Sequence, residues 1–275
     1  LAIKYLAGDR LIGTAAERAA LLTEANPTYT PVLTSSSGWS EEGGSTYHSI
    51  DTSNNELDFR NKRNPAGDRS ISYDLGATVS DTAWVMRFKL DIDVMNIPAG
   101  GAQMENISLT DSDSSVLFQT TSQDSLGFSI GWYSSASSER DFMALHGNNT
   151  NLQSNYTYIG TDIIVVGTWY VEIKRLTATS MSVRVTTSSD YTGGTLVTKT
   201  DVSASTDGLR YFKMAINNGA DQANYMDGSI SAIKIWNAVT TTDSYPNLPN
   251  GAILEESDTG KHYMWDGTDT WNEIT

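Results

Sequence analysis

Apolar and polar residues alternate through most of this chain. Trp84, Met86, Phe88, Leu90 and Ile92 are interleaved with Val85, Arg87, Lys89 and Asp91, so one side of the segment is apolar and the other largely charged. Successive side chains of an extended backbone point to opposite faces, and this period marks a strand buried on one side. The pattern returns at Phe128, Ile130 and Trp132, and at Trp169, Val171 and Ile173 set against Tyr170, Glu172 and Lys174. Met181, Val183 and Val185 repeat it, as do Phe212, Met214 and Ile216, and then the run from Ile230 to Trp236. Turn-forming clusters such as Asp111-Ser112-Asp113-Ser114-Ser115 and Asn217-Asn218-Gly219 separate the runs. About a dozen strands with no helices between them predict an all-β, antiparallel sandwich, each sheet burying one face against the other.

The two ends read differently. Thr14-Ala15-Ala16-Glu17 is a capping box, in which the Thr14 hydroxyl meets a free helical N–H and Glu17 reaches back. Good helix formers follow to Ala25, Asn26-Pro27 stops them, and Leu11 and Ile12 are placed to staple onto the first turn. At the other end Ala252–Glu256, Lys261–Asp266 and Trp271–Ile274 read as three short strands, with Asp258-Thr259-Gly260 supplying the positive-φ glycine of a hairpin. A meander of three strands is marginal alone, so it is expected to pack on the N-terminal helix. The domain plan is a helical segment over 1–28, a sandwich over 29–245 and a β-meander over 246–275.

Composition narrows the chemistry. The 275 residues hold no cysteine, which excludes disulfides, thiol catalysis and thiolate zinc sites. With 18 basic and 33 acidic residues the net charge is −15, and such a chain repels nucleic acid. No run approaches the ~20 apolar residues of a membrane-spanning helix. The chain opens on Leu1 with no signal-like segment, which reads as an excised or processed piece.

Three segments carry a family resemblance: Trp84-Val85-Met86-Arg87-Phe88-Lys89-Leu90, Thr168-Trp169-Tyr170-Val171-Glu172-Ile173-Lys174-Arg175, and Met226-Asp227-Gly228-Ser229-Ile230-Ser231-Ala232-Ile233-Lys234-Ile235-Trp236. On these, the stretch from about Trp39 to Trp236 resembles the laminin-G-like, concanavalin-A-like jelly-roll superfamily of lectins and glucanases. The resemblance implies two packed sheets of six or seven strands, one of them concave, and often a bound Ca²⁺. The flanks, Gly13–Leu22 and Gly251–Ile274, resemble a helix and meander found in tail-fibre and appendage proteins of phages and archaeal viruses. Read so, the jelly roll is inserted between two halves of a small module on an extracellular or virion surface.

Enzyme templates fit loosely. The glucanases of the superfamily carry Glu-x-Asp-x-x-Glu; here Asp91 and Asp93 share a face without a glutamate at either end, which reads more simply as a solvent-facing strand end. Jelly-roll alginate lyases carry a Tyr-Phe-Lys strand, matched by Tyr211-Phe212-Lys213, but their Gln-x-His strand is missing. A lyase or glycosidase acting on an acidic polysaccharide is the alternative reading, and a structural virion domain without ligand a third. The leading expectation is a non-catalytic, lectin-like module binding a polysaccharide or cell-surface glycan. Its candidate contacts are the outward cations Arg87, Lys89, Lys174 and Arg184, the rings Trp132, Tyr133 and Tyr158, and His146. Cross-strand pairing of those cations with Glu172 and Asp91 is an equally simple reading. A single site of this kind is weak, so a homo-oligomer gaining avidity is expected. A structural Ca²⁺ is expected on Asp111, Asp113 and Asp227, with ordinary Asx turns as the alternative.

Overall fold

The computed structural model describes residues 4–6, 10–21, 27–42, 47–62, 69–96, 102–113, 123–132, 141–147, 156–160, 164–191, 193–216, 225–240, 250–265 and 271–274. The chain forms two compact units, one of residues 1–26 with 242–275 and one of 27–241. The first opens with β1 (Lys4–Leu6), β2 (Arg10–Gly13) and α1 (Ala15–Leu21). The second contains β3 (Trp39–Glu42), β4 (His48–Asp51), β5 (Glu56–Lys62), β6 (Arg69–Asp74), β7 (Trp84–Asn96), β8 (Ala102–Thr110) and β9 (Ser125–Trp132). It continues with β10 (Asp141–Gly147), β11 (Tyr156–Ile159), β12 (Gly167–Thr177), β13 (Ser180–Thr186), β14 (Thr195–Lys199), β15 (Tyr211–Ile216) and β16 (Tyr225–Asn237). The chain returns to the first unit with β17 (Ile253–Glu256), β18 (His262–Trp265) and β19 (Trp271–Ile274). No helix among the described residues is long and apolar enough to cross a membrane.

The large unit is an antiparallel β-sandwich of the jelly-roll kind. One sheet, here the β7 sheet, has the order β14-β13-β12-β7-β16-β5-β4; the other, the β8 sheet, has the order β11-β10-β9-β8-β15-β6-β3. The alternating residues meet between them. Met86, Phe88, Leu90, Val171, Ile173, Ile230 and Ile235 of the β7 sheet share a buried cluster with Ile107, Leu109, Phe128, Ile130, Phe142, Phe212 and Met214 of the β8 sheet. Phe128 spans the layers, with ring centroids 6.2 Å from Phe88 and 5.1 Å from Phe142, and Phe142 lies 5.3 Å from Trp169. Full burial of each such side chain contributes about 1.5–3 kcal/mol. At one end Arg175 is wholly buried, its guanidinium donating to the carbonyls of Thr206 at 2.6 Å and Ala178 at 2.8 Å.

The small unit is a five-stranded sheet, β1-β2-β17-β18-β19, in which β2 and β17 run parallel. The capping box forms: Thr14 Oγ1 accepts from Glu17 N at 3.2 Å, and Glu17 Oε2 accepts from Thr14 N at 2.7 Å. Asp258 adds a second cap, accepting from Ala15 N at 3.0 Å, and Arg18 Nε donates to Glu256 Oε1 at 2.6 Å. Gly260 takes the positive φ expected of the hairpin, 71°. One expectation is corrected. Leu11 and Ile12 are no staple but strand β2, and Leu11 packs with Leu254, Tyr263, Trp265 and Trp271. Four residues are too few for an alternation to declare itself. The helix reading beyond Leu21 lies outside the described residues.

Candidate functional site

The predicted contact residues fall on both sheets. Arg87, Lys89, Lys174 and Arg184 all project from the β7 sheet on the side away from the core, because Arg87 pairs with Glu172 and Glu172 with Arg184 across β7, β12 and β13. These cations are engaged within the sheet. Arg87 donates through Nε and Nη2 to Glu172 Oε2 at 2.8 and 2.6 Å, while Lys174 Nζ lies 2.9 Å from Glu172 Oε1. Lys89 Nζ sits 2.6 Å from Asp91 Oδ2, a contact that holds the lysine pKa above its ordinary value. Arg184 donates to the Gly193 carbonyl at 2.7 Å. The Arg87 guanidinium also lies 4.7 Å from the Tyr191 ring centroid and 5.7 Å from that of Trp236.

The remaining members belong to the β8 sheet. Tyr158 is exposed on edge strand β11. The backbone of Trp132 ends β9; its side chain, and Tyr133, lie outside the described residues. His146 turns inward. It pairs with core residue Leu126 and is 4% exposed, its Nε2 accepting from Ser203 N at 3.4 Å. Burial, reinforced by Lys199, pulls its pKa down to about 4, so the ring is neutral at pH 7.

The acids expected to hold Ca²⁺ are far apart. Asp111 follows Thr110, which pairs with Tyr211 at the end of the sandwich where β15 begins. There Arg210 is hydrogen-bonded to Leu75 and Leu209 to Val79, just ahead of the start of β7. Asp227 instead faces Val94 near the other end of β7. Asp111 Oδ1 accepts from Asp124 N at 3.1 Å, and burial beside Asp124 raises its pKa; Asp113 is exposed. Among the described residues no three His, Asp or Glu side chains gather closely enough to hold a metal ion.

The outward side of the β8 sheet was largely missed by sequence reasoning. Registry places Ser70 and Ser72 of β6, Lys213 and Ala215 of β15, Asn106, Ser108 and Thr110 of β8, and Ser125, Gly127 and Ser129 of β9 on that one face. It is polar, yet buried: Lys213 is 0%, Asn106 1% and Ser108 2% exposed. Lys213 Nζ donates to Gln123 Oε1 at 3.4 Å, and Asn106 Nδ2 to the Ala215 carbonyl at 3.4 Å. Asn106 Oδ1 and Ser108 Oγ are buried without any hydrogen-bond partner. Buried polar atoms are nearly always satisfied, so two neighbouring orphans on one face are an unmet demand for hydrogen bonds. Small side chains line this face. At Gly127 even a Cβ would lie 2.3 Å from both the Ile107 carbonyl oxygen and Ser108 Cβ. The available signal was the run of short, uncharged polar residues on adjacent strands, where a solvated face carries longer, charged ones.

No protein-family model matches the chain, and no curated protein matches it. Solved structures similar to it include a legume lectin-like domain from Entamoeba histolytica, at 13% identity, covering 73% of this chain and 90% of that one, with a TM-score of 0.45. An alginate lyase from Klebsiella pneumoniae is 11% identical over 77% of this chain and 100% of its own, with a TM-score of 0.46. The CBM2 module of an evolved Dit protein from Lactobacillus casei BL23 phage J-1 is 11% identical, covering 78% of this chain and 97% of that one, with a TM-score of 0.43.

Proposed function

We propose that the polar face of the β8 sheet binds carbohydrate, and that the ligand is an acidic one. The observation that carries this reading is the pair of orphaned atoms, Asn106 Oδ1 and Ser108 Oγ, beside the buried cation Lys213. An amide oxygen needs a donor and a serine hydroxyl takes either role. A sugar supplies both from adjacent hydroxyls. Lys213 in the same floor favours a ligand that brings negative charge, such as a uronate or sialate carboxylate. Tyr158, exposed on the edge strand of the same sheet, adds a ring against which a sugar can lie. What this face offers is hydrogen bonding and one cation, which is the chemistry of binding. The β7 sheet supports binding less, since Arg87, Lys89 and Lys174 already serve Glu172 and Asp91.

A glycan array holding galacturonate, mannuronate, guluronate, sialylated and neutral oligosaccharides tests the proposal. Asn106→Ala or Lys213→Met should weaken retention of an acidic glycan about ten- to a hundredfold, the worth of one charge-assisted or otherwise unpaired buried hydrogen bond. Arg87→Ala with Lys174→Ala should leave retention by the folded protein unchanged. Retention that survives Asn106→Ala and Lys213→Met, and fails in the Arg87 and Lys174 variant, overturns the assignment. Release of unsaturated or reducing sugar by the wild type would move the function from binding to cleavage.

A further inference from the structure

Glu105 precedes Asn106 on β8 and points the other way, into the space between the sheets. There it meets His48 from β4, the edge strand of the opposite sheet. His48 Nε2 and Glu105 Oε1 are 3.0 Å apart, with side chains 1% and 0% exposed. The second carboxyl oxygen, Glu105 Oε2, is buried and has no partner. Between Gln103 and Glu105 the register of β8 against β9 shifts, so the ladder beside this contact is already irregular. The contact therefore ties the two sheets at the point where β8 enters the polar face.

We propose that the proton shared by Glu105 and His48 regulates ligand binding at that face, holding β8, and Asn106 with it, in the binding position while one proton is present. This rests on the carbohydrate-binding reading above. With one proton the pair is neutral overall, whether as imidazolium and carboxylate or as imidazole and carboxylic acid. Loss of that proton leaves a carboxylate with one donor and one bare oxygen in a dry interior; gain of a second leaves an uncompensated cation. Burial drives the Glu105 carboxyl upward, and His48 offsets this only in part, so the interior resists the bare carboxylate that loss of the proton would leave. Ile216 of β15 pairs with both Glu105 and Arg69, which sets Arg69 of β6 on the same face as Glu105, and Tyr47 directly precedes His48. The Arg69 guanidinium lies 5.5 Å from the Tyr47 ring centroid.

The test measures affinity for a galacturonate oligosaccharide, and hydrogen exchange of the β8 amides without ligand, across pH. Wild-type affinity should fall by up to tenfold per pH unit on the alkaline limb, as linkage to one proton requires. Exchange around Asn106, corrected for its intrinsic pH dependence, should rise over the same limb. Glu105→Gln keeps a hydrogen bond to His48 without a titrating carboxyl and should abolish both trends. Identical pH profiles in wild type and Glu105→Gln overturn the inference while leaving the binding site intact. Absence of binding at every pH sinks the binding-site reading instead, and the exchange data then decide whether the tie exists. If Glu105→Gln does not fold, NMR titration of the His48 ring in the wild type decides. A step that coincides with the exchange step supports the tie, and titration without one overturns it.

Discussion

His146 shows how a residue's chemistry depends on the way it is turned. Its sequence setting, Ala144-Leu145-His146-Gly147, reads as a strand end open to ligand, but the strand's parity sends the ring inward, beside Lys199 and Arg175. The folded ring titrates at about 4, whereas an unfolded imidazole titrates near 6.5. The unfolded chain therefore binds a proton that the folded one declines. Stability is fully present above pH ~6.5 and is lost as pH falls toward 4, by up to about 3 kcal/mol. Melting curves from pH 7 to 4.5 should show that slope, and His146→Gln should flatten it. Arg87 makes the complementary point. Its charge and outward parity are plain in the sequence, but Glu172 faces it only through a pairing between segments 85 residues apart. Glu172→Ala should cost about 3–5 kcal/mol by leaving Arg87 without its carboxylate, Arg87→Ala should cost less because Lys174 still pairs with Glu172, and the double variant should cost less than their sum. Chemical denaturation of the four proteins of that cycle checks it.

Strand identity was legible wherever apolar side chains recur every second residue on one face, as in β7, β12, β13, β15 and β16. Short strands such as β1, β2 and β4 have too few residues to show a period. The character of the two outward faces was harder to read. A solvated face and a buried polar floor alternate alike, so Asn106, Ser108 and Ser129 resemble surface positions until burial is seen. Tyr211-Phe212-Lys213 marked one strand of that floor, and registry supplied the others. Two predictions belong to this scale. Gly127→Ala forces a Cβ to within 2.3 Å of the Ile107 carbonyl oxygen, so β9 must move off β8. The variant should lower the melting temperature and weaken glycan retention together, because the shifted strand borders Ser108. In the small sheet, Asp258→Ala and Thr14→Ala each remove one cap of α1 and should each destabilise it by about 1 kcal/mol, read from circular dichroism melts.

At the scale of the molecule the two units have separate cores, one centred on residues such as Phe88 and Phe128 and the other on Leu11, Leu254, Trp265 and Trp271. A fragment of residues 27–241 should therefore fold cooperatively and keep glycan retention, as calorimetry and the array would show. Removing residues 1–26 alone should instead melt the small sheet, since β17 loses its partner β2. Architecture was legible at this scale because two curved layers are what strands without crossover helices can form. The parallel pairing of β2 with β17 was not, because it joins segments some 240 residues apart and no local pattern records it.

That pairing has a consequence for how the chain matures. Closing a loop of about 240 unstructured residues to bring β2 and β17 together would cost about 5 kcal/mol. Tyr29 and Ile235, however, exchange backbone hydrogen bonds of 3.0 and 2.9 Å, which set the two ends of the sandwich side by side once it has closed. The small sheet is then a late event in biosynthesis, awaiting both a finished sandwich and translation through the final strands. Copies truncated before β17 lack it, so an antibody to its folded surface would count only molecules that carry both β2 and β17–β19.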